Sequence, residues 1–235
     1  MRVEQPPARL NLRQAFRTTF SNDQFLYFLP TFIFFNRGVS LLLAALPYYV
    51  TEVLGQENEG FYVSALTAGA IVVVLASLPF VYRLAILKGK AWVYGTAMLL
   101  GAIYLPTMFF MGFLPVIPKV AQAFLFVPFL GVPMAAVFTF PNALMADIID
   151  YDELRTGMRR EAMYYGTQAT LEKMASAMFP AILAGLLLLG GTADDPLGIR
   201  LVGPVAGLAV FVALLSFRRY RLPDTVSAET VPVRR

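Results

Sequence analysis

A chain of 235 residues that is 58% hydrophobic and 14% charged falls outside soluble proteins, which carry roughly 45–50% apolar and about 25% charged residues. Its mean hydropathy of +0.65 is that of an integral membrane protein, and with no Cys and no His the sequence excludes disulfides, Cys/His zinc sites and imidazole catalysis. The net charge of +4 does not indicate nucleic acid, because the basic residues flank apolar stretches instead of gathering on one soluble face.

Residues 1–24 read as a cytoplasmic linker or amphipathic segment, without the charged region, short apolar run and cleavage site of a signal peptide. Between Leu10 and Phe20, apolar side chains recur at helical spacing around Arg13 and Arg17. That pattern fits a helix lying on the inner membrane face or a linker helix between two bundles. Crossing the hydrocarbon core takes about 20 apolar residues. Six stretches qualify, at approximately 25–50, 61–83, 91–114, 119–145, 163–189 and 200–217. Turn and charge signals separate them, among them Lys88-Gly89-Lys90, Pro115 to Pro118 and the charged stretch 147–162. Residues 218–235 read as a disordered cytoplasmic tail.

Lysine and arginine positions orient the spans. Arg2, Arg9, Arg13 and Arg17 precede the first; Arg83, Lys88 and Lys90 lie in the second loop; Arg155, Arg159 and Arg160 in the fourth; Arg218, Arg219, Arg221, Arg234 and Arg235 in the tail. With six spans all of these share one side, against Lys119 and Arg200 on the other, where Glu52, Glu57, Glu59, Asp194 and Asp195 also fall. The bias places both termini in the cytoplasm, in a multi-pass protein of the cell (inner or plasma) membrane. An odd number of spans would scramble this separation.

Two cations lie inside apolar spans, Arg37 in the first and Lys173 in the fifth. Charges at bilayer depth are costly and usually face a partner, a wet cavity or an ion path. For Lys173 the plainer reading is snorkelling along its helix or neutralising Glu172 at the cytoplasmic rim. Arg37 offers a five-donor fork suited to a carboxylate or phosphate, or a clamp on backbone carbonyls. Glu172 reads as a local partner of a nearby cation, or as a coupling-ion group. Tyr165 and Gln168, like Tyr164, Tyr48 and Tyr49, supply hydroxyl and amide groups to a polar solute; the plainer account of the tyrosines is an interfacial aromatic belt. At about 100° per residue, Gln168 and Lys173 fall on different faces of their helix. Asp147, Asp150 and Asp152 have neither a histidine nor metal partners near them in sequence, and no catalytic constellation argues for an enzyme.

The most specific text runs Ala146-Asp147-Ile148-Ile149-Asp150-Tyr151-Asp152-Glu153, then Arg159-Arg160-Glu161 and Tyr165. It resembles the loop between the tenth and eleventh helices of the glycoside–pentoside–hexuronide:cation symporters, the melibiose-permease-like branch of the major facilitator superfamily. That pattern runs A-D-x-x-D-Y-x-E, a basic stretch, then R-x-E-x-x-x-Y, with a lysine about two turns further on, where Lys173 stands. Leu46-Pro47-Tyr48-Tyr49-Val50, with Leu54-Gly55, is similar to the end of the family's seventh helix. Pro79 to Arg83 with Gly89-Lys90 resembles the basic loop between helices eight and nine, without its usual aspartate.

The resemblance implies an all-α integral membrane fold, six transmembrane helices forming the carboxy-terminal half of a major-facilitator fold built from 3+3 inverted repeats. It implies a cation-coupled symporter moving a sugar or related polar solute by alternating access. The solute site would lie near the midplane between halves, with Lys173, Arg37, Gln168, Tyr165 and Glu172 on the substrate and cation pathway. Asp147, Asp150, Tyr151, Glu153, Arg159, Arg160 and Glu161 would form a cytoplasmic gate of ion pairs; the alternative is a merely solvated loop. The coupling cation would be Na+ or H+, held by acids of the amino-terminal half, with no other cofactor. Expected partners are membrane lipid, a small polar solute, and an amino-terminal half-transporter or a second copy of this chain. The competing expectation is a non-transporting membrane interaction protein or remnant half-transporter.

Overall fold

The computed structural model describes residues 19–224 and 226; the linker residues 1–18 and the tail beyond Val226 lie outside that range. Among the described residues the fold is all-α, with six membrane-length spans, as the sequence leads one to expect. Helix α1, Asp23–Tyr48, starts where the Asn22 side chain accepts the N–H groups of Gln24 and Phe25, and it ends in a π turn over Tyr49–Val53. Helix α2, Glu59–Lys88, is capped by Asn58 and stopped by Gly89, whose φ of 91° suits glycine alone. Helix α3, Lys90–Thr107, tightens into a 3-10 turn at Met108–Phe110, short of the 114 read from apolarity, because the chain turns at Gly112 with φ 90°.

The fourth span breaks into three helices, α4 at Lys119–Phe129, α5 at Gly131–Thr139 and α6 at Pro141–Thr156. Pro133 and Pro141 lack the N–H groups that would continue the helical ladder across Leu130 and Phe140. Lys119 to Thr156 covers 38 residues, about 57 Å of helix, against a hydrocarbon core of about 30 Å. Helix α6 therefore carries its acidic residues out beyond the membrane instead of stopping near 145. Helices α7, Glu161–Leu187, and α8, Leu197–Phe217, complete the bundle.

Helix α8 is the centre, with α1 and α3 packed along it. Small residues permit the approach: a Cβ on Gly203 would sit 2.6 Å from the Leu105 carbonyl oxygen, and one on Gly38 3.1 Å from that of Ala206. Thr31 donates to the Ala213 carbonyl at 3.1 Å and Ser216 to that of Tyr27 at 2.9 Å, stitching α1 to α8. Helix α2 packs on α4 and α5, while α7 leans mainly on α1. In the most apolar 18-residue window of α7 no residue is buried, against half of the corresponding window in α8.

The two described ends of the chain meet. The Arg221 N–H donates to Gln24 Oε1 at 2.8 Å and the Lys90 N–H to Asp224 Oδ1 at 2.9 Å. Residues 218–224, read from sequence as the start of a disordered tail, are instead anchored: Tyr220 stacks on Phe217 with ring centroids 5.1 Å apart. This end of the bundle carries the basic loops and is therefore the cytoplasmic one.

Candidate functional site

Two polar groupings stand out, one at mid-depth and one at the cytoplasmic end. Arg37 lies about 21 Å along α1 from its start and Glu172 about 17 Å along α7, so both sit near the middle of a core about 30 Å thick. Arg37 Nη2 is 3.2 Å from Glu172 Oε1, with side chains 15% and 30% exposed. The guanidinium also lies 5.9 Å from the centre of the Phe179 ring, and its Nε is buried without a hydrogen-bond partner. Arg37 thus takes the carboxylate that one sequence reading assigned to Lys173.

Lys173 is exposed on α7 and forms no ion pair with a described residue. Gln168 is buried on another face of the same helix, its Oε1 without a hydrogen-bond partner, and so is the neighbouring Thr167 hydroxyl. Tyr165 is half-buried against the core. The structure therefore brings Arg37 and Glu172 together and keeps Gln168 and Lys173 apart.

At the cytoplasmic end the gate residues divide among separate contacts. Arg159 Nη1 reaches Asp150 at 2.9 Å and Glu153 at 2.8 Å, and its Nε reaches Glu161 at 3.4 Å. Its bonds to Glu153 and Asp150 raise the arginine further above its ordinary value, so the exposed cluster keeps its cation. Arg160 turns inward. Its Nη2 lies 2.7 and 2.6 Å from the two Asp152 oxygens, its Nε 3.1 Å from Oδ2, and both side chains are almost fully buried. Asp147 joins neither group and pairs with Lys90 Nζ at 2.7 and 2.6 Å. Tyr151 lies beneath Arg155, 5.3 Å from ring centre to guanidinium, and Arg155 reaches Asp23 at 3.8 Å. Asn22 Nδ2 donates to the Tyr164 hydroxyl at 3.0 Å and the Ile148 carbonyl at 3.3 Å, clipping α1 to α6 and α7. Among the described residues no group of three or more carboxylates gathers as a metal site.

A family model described as MFS/sugar transport protein matches residues 2–226. The chain belongs to the major facilitator superfamily. This facilitator chain is 28% identical over 192 residues to the uncharacterized symporter sll1374 of Synechocystis, covering 79% of this chain and 32% of that protein. It is 27% identical over 239 residues to the inner membrane symporter YicJ of Escherichia coli, covering 98% and 50%. To the uncharacterized symporter YjmB of Bacillus subtilis it is 26% identical over 238 residues, covering 97% and 50%. The chain spans at most half the length of these curated relatives. It is a multi-pass membrane protein of a transporter family, not an enzyme, with six spans forming half of a major-facilitator fold.

Some polar residues of this facilitator chain escaped the sequence reading. Asp152 was passed over for Asp150, although about 200° of helix separates them and only Asp152 faces inward to Arg160. Arg200, counted as a loop charge, is buried: its Nη1 donates to the carbonyls of Met111 at 2.7 Å and Phe109 at 3.0 Å, and its guanidinium lies 4.1 Å over the Phe113 ring. Gln122, fully buried, satisfies Gly112, Leu114 and Ile117 of the same outer loop. Only a strongly polar residue beside an apolar run marks these positions in the sequence.

Proposed function

We propose that this chain acts as the carboxy-terminal half of a cation-coupled symporter of the melibiose-permease-like branch, moving a sugar or related polar solute by alternating access. The observation that carries the reading is Lys173. An ammonium at bilayer depth sits on the exposed face of α7, the span whose most apolar window is least buried, beside the partly buried Arg37–Glu172 pair. Such a charge is retained at depth where a wet pathway uses it. In this reading the pathway lies between α7 and a second six-helix half, supplied by an amino-terminal half or a second copy of this chain. Arg37 and Lys173 hold solute hydroxyls or a carboxylate, and Gln168 and Tyr165 add polar contacts as the halves rock. Glu172 is the group that exchanges partners: neutralised by Arg37 when the pathway is empty, free to meet a cation or a solute donor when Arg37 turns to the solute. The Na+ or H+ is bound chiefly by the other half. At the cytoplasmic end the exposed Arg159 cluster and the Lys90–Asp147 pair open and close with the cycle, while the buried Asp152–Arg160 pair holds the base of α7 rigid.

The test is uptake of a panel of labelled sugars into vesicles bearing this chain with a co-expressed amino-terminal half, under imposed Na+ and proton gradients. Gradient-driven uptake that Lys173→Ala abolishes at normal membrane abundance is the expected result. Uptake and ion dependence untouched by Lys173→Ala would remove that residue from the mechanism. Absence of uptake for every solute and gradient would leave the non-transporting interaction protein.

A further inference from the structure

We propose that the pocket between the start of α1 and the end of α8 binds the phosphodiester headgroup of an anionic phospholipid in the cytoplasmic leaflet. The cavity, about 370 Å³, is lined by Asp23, Gln24, Tyr27, Arg219 and Arg221. Arg219 and Arg221 are exposed, and neither forms an ion pair with a described residue. Both lie within about four residues of Phe217, the last residue of the sixth span, which places their guanidinium groups at headgroup depth on the side where anionic lipids concentrate. The planar fork of arginine donates two parallel hydrogen bonds to a phosphate.

These arginines are not part of a loose basic tail. Tyr220, between them, is buried and stacked on Phe217, and the Arg221 N–H is held by Gln24. Their backbone is thus fixed before any ligand arrives, which lowers the ordering cost of binding. The one carboxylate in the pocket, Asp23, is already engaged by Arg155 at 3.8 Å and by Gln24 Nε2 at 3.0 Å, so two cations remain for an incoming anion. Between α3 and the end of α8, Trp92 and Arg218 line a second groove; an indole beside an arginine is the pattern of a membrane interface and supports the assigned depth. Occupancy would also steady the strap from Arg218 to Asp224, whose end holds the N–H of Lys90, the partner of Asp147.

The experiment is native mass spectrometry of the detergent-purified full chain titrated with phosphatidylglycerol or with phosphatidylcholine of the same acyl chains. The expected result is retention of phosphatidylglycerol roughly tenfold above phosphatidylcholine, reduced to the phosphatidylcholine level in Arg219→Gln/Arg221→Gln. Arg83→Gln/Lys88→Gln, which removes two exposed cations from the same end, should leave it unchanged. Equal retention of both lipids by the unmodified chain would overturn the proposal whatever the variants do. An equal loss in both variants would reduce it to general surface attraction. Displacement of the bound lipid by millimolar glycerol 3-phosphate would also overturn it, reassigning the pocket to a soluble phosphate.

Discussion

Helices α7 and α8 both cross the membrane, yet they are held in place by different physics. Helix α8 is gripped along its length by close backbone approach, with Gly203 against the Leu105 carbonyl and Gly207 against Pro106. Helix α7 buries nothing in its most apolar window and is fastened by polar clips. Arg160–Asp152 and Asn22–Tyr164 hold its base, and Arg37–Glu172 its middle. Of the mid-depth charges, Glu172 and Lys173 therefore sit on this sparsely packed span, while their neighbour Arg37 projects from the well-packed α1. Packing identifies α8 as the structural helix; under the proposed function, α7 is the working one.

The largest effect should come from the clip at the base of α7. Asp152→Ala strands the buried Arg160 guanidinium, and removing one partner of a buried pair costs about 3–5 kcal/mol. Thermal unfolding in detergent reads the loss; Glu153→Ala, on the exposed Arg159, should cost at most about 1 kcal/mol. If the two variants melt alike, α7 is not held by its buried ion pair. Next comes the packing of α8, where Gly203→Ala forces a methyl against the Leu105 carbonyl and should cost about 1–3 kcal/mol. On α7 the sign reverses. A Cβ at Gly185 meets nothing within 4 Å, so Gly185→Ala should be neutral or stabilise by up to about 1 kcal/mol. A marked loss there in the isolated chain would mean that this face of α7 is covered and that the contrast with α8 is mistaken.

The contrast was only partly legible in the sequence. Six spans, their orientation and the position of Lys173 follow from local composition, because a bilayer imposes length and charge rules on each segment separately. The acidic run 147–153 is readable for the same reason. What no local pattern reveals is the choice of partner. Arg37 and Glu172 are 135 residues apart, and nothing in either neighbourhood names the other. Asp152 and Asp150 look alike in a string and differ only by their side of α6. The inward turn of Arg200 likewise depends on what packs opposite, whereas the breaks at Leu130 and Phe140 have a local cause in Pro133 and Pro141.

The finest test of the comparison separates two neighbours on α7. Glu172→Gln removes the carboxylate that Arg37 holds at 3.2 Å and should cost about 1 kcal/mol of stability, limited by the partial exposure of the pair. Lys173→Ala removes a cation that has no ion-pair partner among the described residues, so stability should stay within about 0.5 kcal/mol of the parent. Solute uptake by the assembled transporter should nevertheless fall to background. A substitution silent in melting and fatal in uptake is the signature of a charge kept for a pathway. If Lys173→Ala instead melted as early as Glu172→Gln, the ammonium would be one more clip on α7, and the division between a packed helix and a working one would have to be drawn elsewhere.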